Sequence, residues 1–126
     1  MLILELPLVS TSDLGDNWGE AIAAESDIVM ANVHPFFAGV TPEVAPGWTW
    51  SFWQSHDDSL ATAATGSYPK SLISETGWPS SGGNDCGTGD ACPNDTAGSV
   101  ANIDNMNTFM DGFVCQAMAN STTYFW

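Results

Sequence analysis

Apolar positions along the chain gather into four short runs separated by longer amphipathic stretches. The runs are Leu6 to Ser12, Ile28-Val29-Met30-Ala31-Asn32-Val33, Ser71-Leu72-Ile73-Ser74 and Thr123-Tyr124-Phe125-Trp126. Their shortness and their flanking turn residues predict β-strands. Three helices are expected between them. Asp16 or Asn17 is placed to cap one that runs through Glu25, with Glu20 in capping-box spacing to Asn17. Thr41-Pro42-Glu43 is a start signal for the second, because proline in the first turn sacrifices no hydrogen bond and glutamate sits at the positive end of the macrodipole. Pro46-Gly47 should interrupt or restart that helix before Trp48. The third is predicted from about Val100 to Ala119, where Ile103, Met106, Met110, Phe113, Val114 and Ala117 form one apolar stripe and Asp104, Asn107 and Asp111 fall away from it.

Strands alternating with helices predict an α/β fold with a parallel sheet and three crossover helices, each strand being buried on both faces. An eight-unit (β/α)8 TIM barrel of about 250 residues spends about 31 residues on each unit, so this chain corresponds to about four units, a partial barrel. A doubly wound sheet is the alternative, but no Gly-x-Gly-x-x-Gly turn follows the first strand.

Charge narrows the classes of partner. The 126 residues carry 15 Asp and Glu against one basic residue, Lys70, for a formal net charge of −14. Without clustered Lys and Arg, neither a nucleic acid nor an anionic membrane surface is an expected partner. No run of about 20 apolar residues is available to span a bilayer. The apolar fraction is an ordinary 44%, and six Trp and six Phe argue against disorder. With only 13% charged residues, the polar surface must consist largely of Ser, Thr, Asn and Gly, which suits a neutral, hydroxyl-rich ligand outside the cell.

Cys86, Cys92 and Cys115 are an odd number of thiols, and spacing does not choose a pair. The Gly-rich run holding Cys86 and Cys92 reads as a disulfide-pinned loop more readily than as a zinc site, since no His lies near it. Asp85, Asp90 and Asp95 do not match a calcium-loop spacing. Neither metal nor cofactor is expected. Two Asn-x-Thr sequons, at Asn94 and Asn120, lean weakly toward secretion. Met1-Leu2-Ile3-Leu4 lacks a basic flank and meets Glu5 and Pro7 at once, so no signal peptide is expected at this N-terminus.

Reactive groups of a parallel β/α barrel project from the C-terminal ends of the strands. Those ends are polar here: Thr11-Ser12-Asp13, Asn32-Val33-His34-Pro35-Phe36-Phe37 and Glu75-Thr76-Gly77-Trp78-Pro79. Glu75 directly follows a strand and precedes an aromatic. Taken by position alone, a catalytic carboxylate and an exposed strand-end glutamate are about equally good readings. Asp13 and Asn32 are candidates to meet substrate hydroxyls, although Asp13 is as well placed to cap the next helix. His56 reads as solvated, and Trp48, Trp50, Phe52 and Trp53, at helical spacing, read as core.

The run Ser74-Glu75-Thr76-Gly77-Trp78-Pro79-Ser80 closely resembles the nucleophile strand of glycoside hydrolase family 17, the β-1,3-glucanases, and the Asn32-Val33-His34-Pro35-Phe36-Phe37 run resembles the strand before it. Ser12 to Trp18, Gly47 to Trp53 and the closing Tyr124-Phe125-Trp126 resemble the fungal branch. The resemblance implies a retaining mechanism on β-1,3-glucan, with Glu75 as nucleophile and His34 hydrogen-bonding substrate. Because an aromatic face pairs with the axial C–H groups of a sugar ring, Trp78 is the leading candidate to stack on substrate, while for Phe36 and Phe37 stacking and core packing are equally good readings. In the family an Asn-Glu pair ends the fourth strand and supplies the acid/base, and this sequence contains no Asn-Glu. By the same resemblance residues 1–126 are expected to be the C-terminal half of the barrel, strands five to eight, from a secreted or cell-wall parent. The isolated chain is then expected to be inactive, a glucan-binding or structural remnant being the alternative, and its open sheet edges invite self-association.

Overall fold

The computed structural model describes residues 8–65, 70–87, 89 and 91–126. Its main sheet is built outward from β2 (Val29–Asn32), which pairs in parallel with β1 (Ser12–Leu14) on one side and β3 (Ser71–Glu75) on the other. The chain end extends the sheet. Tyr124 bridges Ile73 in parallel, with Ile73 N donating to Thr123 O and Phe125 N donating to Ile73 O, both at 3.0 Å. The architecture is α/β, with helices between successive parallel strands.

β1 forms later than the expected Leu6 to Ser12, of which Leu6 and Pro7 lie outside the described residues. Val9 and Ser10 still run beside Asp27 and Ile28: Asp27 N donates to Val9 O at 2.9 Å, and Val9 N donates back to the Asp27 carboxylate at 2.8 Å. A side chain there takes the place of a ladder acceptor, and the regular ladder begins at Ser12.

Burial on both faces of every strand does not hold. β1 is exposed throughout, whereas β2 alternates buried Val29 and Ala31 with half-buried Met30 and Asn32. Alternation of this kind marks a sheet covered fully on one face only. Ala31, Val33 and Ile73 meet Trp53 of α2 (Ala45–Trp53) and Phe109, Phe113 and Ala117 of α4 (Ile103–Ala119) in one core.

The predicted stripe on α4 is rotated. Phe109, outside the stripe, is fully buried, while Ile103 is 60% exposed. Residues 109, 113 and 117 form a single ridge of four-residue steps that faces the sheet, and the larger aromatic surfaces of Phe109 and Phe113 take the core in preference to the aliphatic flank. Asn102 caps this helix, accepting from Asn105 N at 2.7 Å.

α1 (Glu20–Glu25) starts after Gly19 without a side-chain cap, because Gly15–Asn17 closes into its own 3-10 turn and Asn17 is occupied by Asp13. In α2, Pro46 sits in the first turn, so the Pro-Gly pair starts the helix instead of breaking it. The helix widens into a π-turn at Gln54–Asp58 and continues as α3 (Ser59–Thr65).

A second, antiparallel pair, β4 (Asn84–Asp85) with β5 (Ser99–Val100), was not expected from the sequence. It carries the loop pinned by a Cys86–Cys92 disulfide, leaving Cys115 free and exposed. Gly39 and Gly87, both at positive φ, interlock at its base: a Cβ on Gly39 would lie 2.3 Å from Cys86 C, and one on Gly87 2.4 Å from Ala38 O. Only residues without a side chain allow that approach.

Candidate active site

The sheet register places the site. Met30 pairs with Leu72 and Ala31 with Ile73, but Asn32 pairs with Glu75, so Ser74 is an extra residue on β3. An irregularity of this kind re-aims the side chains after it. Beyond it, the Glu75 carboxylate is 62% exposed, and its Oε1 lies 2.9 Å from Nε2 of His34, whose side chain is 22% exposed. Val33 N donates to Glu75 O at 2.8 Å, which ties the two strand ends together directly beside that contact.

Beneath the pair, the Asn32 amide is held on one side. Its Oδ1 accepts from the hydroxyls of Ser12 and Ser74, both at 2.8 Å. Its Nδ2 has no acceptor among the described residues, so the fixed amide presents a donor for a ligand. Neither serine was singled out from the sequence, since nothing local in Thr11-Ser12-Asp13 announces a partner twenty residues away.

The remaining candidates separate into surface and core. Phe37 is 65% exposed and meets the His34 ring edge-on at 6.1 Å. Phe36 and Trp78 are buried against each other, edge to face at 5.3 Å, and the Trp78 indole donates to Val100 O at 3.0 Å. Of the three aromatics expected to stack on sugar, Phe37 is therefore the one with an open ring. Asp13 braces its own turn, with Oδ1 accepting from Asn17 Nδ2 at 3.0 Å and from Leu14 N at 2.7 Å. The Asn17 amide, and after it the Leu14 N–H, hold its carboxyl below the ordinary value.

On α2 and the π-turn, Trp53 is buried as expected, whereas Trp48, Trp50 and Phe52 are only half-buried. His56 is exposed, yet its neighbour Asp57 is fully buried and neither carboxylate oxygen has a hydrogen-bond partner among the described residues. Burial pushes the Asp57 carboxyl up to about 6, partly offset by His56 and reinforced by Asp16. The π-turn could not be read from the sequence, and it is what rotates this acid inward.

Among the described residues no cluster of three or more His, Cys, Asp or Glu could hold a metal ion, and no helix is long and apolar enough to cross a membrane. The chemistry on offer is a solvent-facing carboxylate held by an imidazole, with an oriented amide nearby. Residues 4–126 match the BtgE/BtgC glycoside hydrolase domain. The chain belongs to that family. Among curated members, a protein of Aspergillus terreus named probable glucan endo-1,3-beta-glucosidase btgC is 59% identical over 118 residues, which are 94% of this chain and 18% of that protein. The glucan endo-1,3-beta-glucosidase btgC of Emericella nidulans is 55% identical over the same fractions of each. This BtgE/BtgC chain thus spans under a fifth of the length of these relatives. A solved glycoside hydrolase family 17 β-1,3-glucanosyltransferase from Rhizomucor miehei superposes with a TM-score of 0.69 at 29% identity, covering 94% of this chain and 39% of that one. Its active-site mutant in complex with laminaritriose superposes equally well.

Proposed function

We propose that this BtgE/BtgC chain forms the nucleophile-bearing part of a retaining glycosidase or transglycosylase that acts on β-1,3-glucan, and that Glu75 is the nucleophile. The observation that carries the reading is the His34–Glu75 contact at adjoining strand ends, where the exposed carboxylate oxygen is oriented by a side chain instead of being left to rotate. An attacking carboxylate has to be held within reach of the anomeric carbon, and a hydrogen bond from a neighbouring imidazole does this. The Asn32 donor and the Phe37 ring supply what a neutral sugar needs, one polar partner for hydroxyls and one apolar face.

Retaining chemistry uses two carboxyl groups about 5 to 5.5 Å apart. We assign the second, the acid/base, to sequence outside these residues, consistent with the lack of an Asn-Glu here and with the small share of the relatives that the chain spans. In this reading the three parallel strands and the Tyr124 bridge are units five to eight of an eight-unit barrel, and residues 1–126 are its C-terminal half. The chain alone turns over little or no glucan. The Cys86–Cys92 disulfide supports an extracellular or cell-wall location, where such bonds persist.

The test uses a substrate that needs no acid. With 2-deoxy-2-fluoro-β-laminaribiosyl fluoride, a nucleophilic carboxylate displaces fluoride and is left as a glycosyl ester, detectable by mass spectrometry of peptides. It is applied to the chain and to a chimera in which the chain replaces the matching segment of the Aspergillus terreus relative. Labelling at Glu75, and loss of laminarin cleavage by the chimera on Glu75→Gln, are expected. An active chimera that tolerates Glu75→Gln would refute the assignment.

A further inference from the structure

The two Asn-x-Thr sequons lie away from the catalytic pair, and the fold treats them differently. Asn94 opens a turn that leads from the Cys86–Cys92 loop into β5, and Ala97 closes it by donating its N–H to Asn94 O at 3.3 Å. Asn84 of β4 braces that turn, its Nδ2 donating to Asn94 O at 2.9 Å and to Ala97 O at 2.7 Å. Inside the turn, Asn94 Oδ1 accepts from both the N–H and the hydroxyl of Thr96, at 3.0 and 2.8 Å. Asn94, Asp95 and Thr96 are all exposed, and Asn94 Nδ2 meets no acceptor among the described residues. The fold thus uses the carbonyl half of this amide and leaves the nitrogen half to solvent. Asn120 is the reverse case. It stands at the end of α4, where its Nδ2 donates to Gln116 O at 2.9 Å. Ser121 turns the chain through φ 54°, Thr122 N donates to Ala117 O at 2.9 Å, and the Thr122 hydroxyl is buried without a partner among the described residues.

We propose that Asn94 carries an N-linked glycan and that Asn120 keeps a bare amide. The co-reactant is an oligosaccharide joined through its C1 to a lipid diphosphate. Asn94 Nδ2 forms the new bond to C1, the C1–O bond to the diphosphate breaks, one amide proton passes to a base of the host transferase, and the lipid diphosphate leaves. The proposal rests on the extracellular reading, which brings the chain to such a donor, and it is independent of the role of Glu75. The Cys86–Cys92 disulfide just before the turn belongs to the same oxidising compartments. Asn94 presents its sequon equally before and after folding, because no residue of the triplet is buried and the nitrogen is not spent. A bulky, hydrophilic group on this turn displaces no packing. At Asn120, closure of α4 withdraws the Thr122 hydroxyl and commits the amide nitrogen to the last turn, so folding ends the interval in which that sequon is open.

The experiment produces the 126-residue chain behind a cleavable secretion leader in a eukaryotic host. Its peptides are treated with peptide N-glycosidase in heavy-oxygen water, which converts each glycan-bearing Asn to an isotope-labelled Asp read by mass spectrometry. Label at residue 94 is expected, with its complete loss in Asn94→Gln and in Thr96→Ala, and the Asn120 peptide is expected to stay unlabelled. Chain retained inside the host is analysed in the same way as secreted chain, since transfer takes place on entry to the lumen, so poor folding does not remove the test. An unlabelled residue 94 would overturn the proposal, and so would label at Asn120 equal to that at Asn94. Label that persists at residue 94 in Thr96→Ala would be spontaneous deamidation and would overturn it too. Because the leader supplies entry to the lumen, these failures count against the site and not against the extracellular reading, while fluorosugar labelling of Glu75 decides the catalytic reading separately.

Discussion

Glu75 and His34 are joined through their side chains at 2.9 Å, and their strands are joined again by the Val33 N–H to Glu75 O hydrogen bond at 2.8 Å. The double link makes the carboxylate position a property of the sheet rather than of a loop. We predict that His34→Phe slows fluorosugar labelling of Glu75 by about ten- to a hundredfold, the value of a hydrogen bond to a charged group. His34→Gln, which keeps a donor, should restore part of the rate. Equal rates in wild type and His34→Phe would show that the imidazole does not orient the nucleophile.

Asp57 gives the fold a pH dependence of known sign. Its carboxyl rises from 3.8 to about 6 on folding, so between those values the folded chain binds more protons than the unfolded one. Stability from this group is therefore greatest in acid and falls as pH rises through about 6. Two units correspond to about 2 to 3 kcal/mol. Asp57→Asn is predicted to flatten the pH profile of urea midpoints between about pH 4 and 6 and to raise the midpoint at pH 7. A wild-type midpoint that climbs across that interval, and an Asn variant no better at pH 7, would contradict it.

The glycine interlock under the disulfide loop predicts a local effect. Gly87→Ala has to displace Ala38 O from 2.4 Å and adopt positive φ, which together should cost about 1 to 3 kcal/mol. Limited proteolysis after residue 87 should quicken in that variant. Gly89→Ala, where a Cβ meets nothing, shares the positive φ and not the clash, so it should be the milder of the two. Equal proteolysis in both would mean that the close approach is not what holds the loop.

Asn102 is the cap on which α4 depends for its first turn. Asn102→Ala should destabilise the chain by about 1 kcal/mol, and Asn102→Asp by much less, in chemical denaturation. Indistinguishable Ala and Asp variants would remove the cap from the account of that helix.

The parallel strands and the crossover helices were legible because they depend on short-range signals, apolar runs and strand-end polarity, and motifs that resemble family 17 singled out Glu75 and His34, the latter as a substrate contact and not as the partner of Glu75 that the fold makes it. What the sequence hid was decided at a distance. Phe109 entered the core in place of Ile103 because the sheet surface, which for β2 lies 77 to 80 residues earlier in the chain, selected the aromatic ridge of α4. Asp57 turned inward because α2 opens by one residue at Gln54–Asp58. Trp78 stands three residues after Glu75 in the motif, yet Phe36 and Val100 O draw it beneath the surface. Ser12, Asn32 and Ser74 come from three separate strands, and no short window of sequence contains them all.

Ile73 has backbone partners on both flanks, Ala31 on one and the Thr123–Phe125 segment on the other, whereas the outer flank of Ser12–Leu14 has none among the described strands. Deuterium uptake should follow that inequality: the amides of 12–14 exchange through small fluctuations, while those around Ile73 wait for something close to whole-molecule opening. The segment that delivers Glu75 is thereby the slowest-breathing part of the sheet, and a destabilising change at the periphery will loosen the Ser12–Leu14 edge before it disturbs Glu75.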